Sequence, residues 1–173
     1  MTEKKNNIIQ AALKLFTCTG FHACSTSKVA KQAKVSEGLI FKHFKNKEGL
    51  LQAILVEGEE KSKKLFYPIL SAETPQQILK RTLELPFRIK GDDFEFWKLQ
   101  YKLKWELEYD HSKKMQPLMD RLTEAFTALD YSNPEMEAQF LLYTLDGIAA
   151  SLLKGALNNE TELHDYLMNK YNV

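Results

Sequence analysis

Apolar residues recur along this chain at three- and four-residue intervals, the spacing of one face of an α-helix. Ile8, Ile9, Ala12, Leu13 and Phe16 form the first stripe and predict a helix from about Lys4 to Thr19, ended by Gly20. Val29, Ala30 and Ala33 predict a short second helix capped by Thr26 or Ser27. A tight connection at Lys34-Val35 leads to Ser36, the N-cap of a third helix that runs to about Phe44, with Leu39 or Ile40 and Phe44 turned inward. Asn46 caps a fourth helix starting at Lys47, with Leu50, Leu51, Ile54 and Leu55 on one face; it is expected to reach about Phe66, where Pro68 ends it.

Five more helical segments follow. One runs from Pro75 to before Gly91 with a kink at Pro86, and one from Asp92 or Asp93 to about Tyr109. Another spans Ser112 to Leu129, a long one opens at Asn133-Pro134 and reaches about Leu157, and the last covers Glu160 to Tyr171. No alternating apolar run bounded by turn residues reads as a strand, and no internal repeat is visible. The pattern predicts an all-α fold of about nine helices. With 44% hydrophobic residues in 173, the chain can fill a sizeable core.

Residues 26–44 are a short helix, a tight turn and a second short helix, and Ala30, Val35, Ile40 and Phe44 are spaced to pack the two together and against the first helix. This is the helix-turn-helix arrangement, in which the second helix can enter a DNA major groove. Its exposed residues would be Glu37, Gly38, Leu39, Phe41, Lys42 and His43. The same pattern also suits a three-helix core with no DNA role, and charge separates the two readings. Through residue 47 there are nine lysines against Glu3 and Glu37, a net +7, while the rest of the chain carries −6. A basic head on an acidic body is what contact of the head alone with a polyanion requires.

At this point the chain resembles a known family. The segments Thr26-Ser27-Lys28-Val29-Ala30 and Val35 to Leu51 (VSEGLIFKHFKNKEGLL) look like the N-terminal signature of the TetR family of bacterial regulators. The resemblance covers about residues 4–55; beyond it the match is in length and helical character. It implies a homodimer that binds a double-stranded DNA operator and a variable body that takes a small-molecule effector and releases DNA, with repression as the default. The family's contact positions fall on Thr26, Ser27, Ser36, Glu37, Gly38, Leu39, Phe41, His43 and Lys47. Thr26, Ser27, Ser36 and His43 can donate to phosphates. Lys47 adds charge to a helix start that already favours anions. Gly38 allows close approach to base edges, and Leu39 can meet a thymine methyl. Three departures stand out: Lys34 where the family usually has glycine in the turn, Phe41 where it usually has tyrosine, and a carboxylate at Glu37. Glu37 can accept from a cytosine amino group or simply favour its helix N-terminus.

These readings divide the chain into a DNA-binding domain at 1–47 and a helical ligand-binding and dimerisation domain at 48–173. In the body, Phe94, Trp97, Tyr101, Trp105 and Tyr109 share one helical stripe, while Phe96, Leu99, Leu103 and Leu107 form the opposite one. A helix apolar on two sides is sandwiched. Its aromatic side either faces a cavity or is a second core face. In the first case Phe66, Phe87, Leu118 and Phe126 are candidate further walls for a flat, mostly apolar ligand. Gly147, Ser151 and Gly155 lie at four-residue spacing on the long helix. Glycine there costs about 1 kcal/mol relative to alanine, which close approach of another helix offsets, either in a two-fold dimer or within one subunit.

An all-helical binding protein or enzyme without DNA function is the alternative. No nucleophile–base pair or glycine-rich phosphate loop supports it. Cys18 and Cys24 match no zinc spacing and the four histidines are scattered, so neither metal nor cofactor is expected. The charged start lacks the apolar run of a signal peptide, and stretches such as residues 140–145 are too short to span a bilayer, so a cytoplasmic location without membrane contact is expected.

Overall fold

The computed structural model describes residues 3–89, 91, 93–106 and 112–173, the side chains at 103–106 and 112–114 excepted. Tyr109, Leu107 and the side chains of Leu103 and Trp105 thus lie outside the described residues. Among those described the chain is helical throughout: α1 (Glu3–Thr19), α2 (Thr26–Ala33), α3 (Glu37–Phe44), α4 (Lys47–Leu70), α5 (Pro75–Leu83), a 3-10 turn (Pro86–Arg88), α6 (Asp93–Glu106), α7 (Ser112–Ala128), α8 (Pro134–Lys154) and α9 (Glu160–Lys170).

The local chemistry departs from the expected pattern in four places. The cap of α2 is Ser25, whose hydroxyl accepts from the Lys28 N–H at 3.3 Å, one residue earlier than Thr26. α4 does not stop before Pro68. The proline forfeits one N–H bond only two residues from the helix end, fully buried Ile69 holds the last turn, and Arg81 donates to the Pro68 carbonyl. Pro86 does more than kink α5. The Thr82 carbonyl, which a proline four residues on cannot serve, accepts instead from the Leu85 N–H at 3.0 Å, and the helix breaks into a 3-10 turn. Finally α8 ends at Lys154 rather than near Leu157. Gly155 takes a left-handed φ of 67°, and its N–H and that of Ala156 reach back to Leu152 and Ser151 at 2.9 Å.

The chain forms two compact units, one from residues 1–62 and 92–108, the other from 63–91 and 109–173; α4 contributes residues to both. In the first, Ile8, Ala12 and Phe16 of α1, Val29 of α2, Ile40 of α3, and Leu50 and Ile54 of α4 are all essentially buried, joined by Phe96 and Leu99 of α6. α4 and α6 approach closely there: a Cβ on Gly58 would fall 1.9 Å from the Phe96 ring. Lys61 and Asp93 pair across the same contact. In the second unit Leu79 and Leu83 of α5, Leu118, Leu122 and Phe126 of α7, Leu141 and Leu145 of α8, and Leu167 of α9 share one core with Phe87 of the 3-10 turn.

Candidate nucleic-acid interface

Two eight-residue helices carry the interface, and their sequences explain their placement. α2 is anchored by Val29 and Ala30, α3 by Ile40 and Phe44, all at or below 5% exposure. Between them Lys34 adopts φ 55°, ψ 44°, the left-handed conformation the turn demands; its N–H donates to Lys31 at 3.2 Å and that of Val35 to Ala30 at 3.0 Å. The reversal leaves Lys28, Lys31, Lys34, Lys42 and Lys45 exposed around the pair.

The outer side of α3 shows Gly38, Phe41 and Lys42 to solvent, Phe41 at 46% exposure, while Glu37, Leu39 and His43 are half-buried and Leu39 leans on the core. Nothing lies within 4 Å of a Cβ built on Gly38, so the protein's own packing does not require a glycine there. Ser36 has the extended conformation of an N-cap, but its hydroxyl makes no cap bond. Ser27 is exposed and Thr26 half-buried. The Thr26 hydroxyl donates to the Glu37 carboxylate at 2.6 Å, linking the first residues of α2 and α3. An open cleft of about 400 Å³ runs past this end, lined by His22, Ser25, Thr26, Phe41 and Lys47 among others.

Lys47 has a second set of partners that its position in the sequence does not reveal. Its ammonium donates to the carbonyls of Phe21, His22 and Cys24 at 3.1, 3.3 and 3.2 Å and sits 4.5 Å from the centre of the Phe21 ring. Three donors meet three acceptors, so the side chain ties the start of α4 to the loop between α1 and α2.

The other predicted positions fall in both compact units. Phe94, Trp97 and Tyr101 are half-buried on α6, with Phe96 and Leu99 buried on its opposite side. They belong to the first compact unit, whereas Phe66, Phe87, Leu118 and Phe126 belong to the second, where the last three are core residues. On α8, Gly147 is exposed, Ser151 donates back to the Gly147 carbonyl at 2.9 Å, and Gly155 is the helix cap. Met136, Phe140 and Tyr143 lie on the Gly147 stripe and are exposed, as is Tyr166 on α9. None of these four was among the expected interface residues, although the helical spacing of the three on α8 is a readable signal.

Residues 8–54 match the sequence model of the family described as bacterial regulatory proteins, tetR family. The uncharacterized HTH-type transcriptional regulator YvkB of Bacillus subtilis is 42% identical over 55 residues, 32% of this chain and 29% of that protein. YuxN of the same organism, another HTH-type regulator, is 26% identical over 98% of this chain and 62% of its own length. The chain thus spans less than two thirds of either relative. Among solved structures, a transcriptional regulator of Saccharomonospora viridis in complex with choline superposes with a TM-score of 0.78 at 15% identity, covering 98% of this chain and 95% of that one. A TetR-family regulator from a Rhodococcus species gives 0.73 at 19% identity, over 97% and 96%. At such identities the structural likeness speaks for the fold, and the sequence match for the head. Residues 8–54 are thus similar in sequence to the tetR family of bacterial regulatory proteins, and the chain is similar in fold to a solved regulator of that family.

Proposed function

We propose that this protein is a ligand-responsive, DNA-binding transcriptional repressor that acts as a homodimer, with residues 1–47 as its reading head and 48–173 as its ligand-binding and dimerisation body. The observation that carries this reading is the outer side of α3. It offers Gly38, Phe41 and Lys42 to solvent on a rigid two-helix support, ringed by exposed lysines, in the part of the chain that holds a net +7. Such a surface suits a major groove, with phosphate contacts from the lysines and hydroxyls and base contacts from α3. The effector would enter beside the aromatic side of α6, where Phe94, Trp97 and Tyr101 remain partly accessible. The choline bound by the Saccharomonospora neighbour makes a small molecule a reasonable occupant.

Retention on random duplex DNA with a steep loss of affinity as salt rises is the first expected result. Selection from a random pool should then return a two-fold symmetric site with half-sites one helical turn or a multiple apart. A protein that ignores duplex DNA at low salt would refute the reading. Small molecules that quench Trp97 or Trp105 fluorescence should release the selected site at matching concentrations, since release requires tighter binding to the DNA-incompetent state.

A further inference from the structure

Glu37 stands where a carboxylate should be a handicap. It is the first residue of α3, and its oxygen accepts from the hydroxyl of Thr26, the first residue of α2, at 2.6 Å. Both helix starts have free N–H groups and favour an anion. The Ser36 hydroxyl leaves the start of α3 uncapped, so the Glu37 carboxylate is the negative group that faces both ends. Any phosphate that takes the Thr26 hydroxyl must first displace Glu37 and then tolerate its charge nearby.

We propose that Glu37 is a specificity-determining residue that works by exclusion: its carboxylate, held by Thr26, keeps DNA phosphate off the start of α2 until the groove offers that carboxylate a donor of its own. The donor that fits is the N4 amino group of cytosine, the base group a carboxylate reads in the major groove. Generic DNA then bears the cost of displacing Glu37 with nothing in return, while a site with a correctly placed C·G pair recovers it. Selectivity comes here as much from repelling the wrong sequences as from holding the right one. The inference rests on the DNA-binding reading above.

The test uses the full-length protein, random duplex and the duplex that the wild type selects. Glu37→Gln keeps the length and an acceptor for Thr26, and Glu37→Ala removes the acceptor as well; both neutral variants should bind random duplex about tenfold tighter, with a salt slope steeper by about one unit. The ratio of selected to random affinity should fall about tenfold. Pools selected by Glu37→Ala should lose a cytosine that wild-type pools retain. If the neutral variants leave random-duplex affinity unchanged, or weaken both duplexes alike, Glu37 only starts a helix and the proposal falls. Wild-type indifference to duplex DNA is a separate result that removes the DNA-binding reading itself.

Discussion

Lys34 holds a left-handed conformation that favours glycine, and a side chain with a Cβ carries a cost of about 1 kcal/mol there. Lys34→Gly should therefore raise the melting temperature by a few degrees, less whatever glycine adds to the entropy of the unfolded chain; calorimetry of the two proteins checks it. Lys47 has the opposite character. Removing its ammonium while keeping the stem, as in Lys47→Met, strands three carbonyls and should cost about 1–3 kcal/mol of stability. Because the amine is spent on those carbonyls, the salt slope of DNA binding should stay where it was. A slope flatter by one unit would return Lys47 to the phosphates. The conformation of Lys34 is legible in the sequence, since two helices so close together leave few ways to turn. The partners of Lys47 and Glu37 are not. They depend on carbonyls and a hydroxyl brought near by tertiary folding 11 to 26 residues away.

At the level of elements, apolar periodicity fixes which helices exist, but their ends answer to chemistry that periodicity ignores. Pro68 can sit inside α4 because few hydrogen bonds remain to be lost beyond it, and Pro86 breaks α5 because more helix would otherwise follow. Two glycines mark tight packing between elements: a Cβ on Gly49 would fall 1.9 Å from the Phe44 carbonyl oxygen, and one on Gly58 as close to the Phe96 ring. Gly58 gives the cleaner test, because its neighbour is a side chain. Replacing it with alanine should gain helix propensity yet lose more by driving a methyl into the buried Phe96 ring, for a net loss of about 1–2 kcal/mol. Phe96→Leu in the same molecule should recover part of that loss, a coupling that a double-mutant cycle of denaturation free energies would measure. Additive losses would mean that the helices shift apart instead. Nothing in the sequence marks Gly58 as a tight position, because the ring it faces comes from a helix 38 residues on.

For the whole molecule the clearest signals are the separation of charge, +7 in the first 47 residues and −6 thereafter, and the apolar stripe left open on α8. Met136, Phe140 and Tyr143 at 55–69% exposure, with Gly147 in line, form a face on α8 of the kind that a second copy of the chain would cover, and Tyr166 is exposed on α9. Phe140→Glu combined with Tyr143→Glu should give the single-chain mass by sedimentation equilibrium at concentrations where the wild type is double that, with the helical circular dichroism preserved. DNA affinity should fall sharply, since one head reaches only a half-site. A double variant that still sediments as two chains would move the contact elsewhere. The aromatic side of α6 marks the limit of the sequence reading: periodicity shows a helix with two apolar sides, but whether the second meets a ligand or another element depends on residues far away in the chain.

The two cysteines differ in a way that gives the protein a built-in reporter. Cys18 lies exposed on α1, whereas Cys24 is buried within the loop that follows, and burial pushes its thiol pKa up, away from the reactive thiolate. A maleimide or nitroxide reagent will therefore label one defined point on the basic head without any engineering. In an assembly of two chains that point occurs twice, and the distance between the paired labels becomes a direct ruler for the spacing of the heads. Pulsed electron resonance on the labelled native protein, with and without a candidate effector, would read that spacing in ångströms without any DNA present.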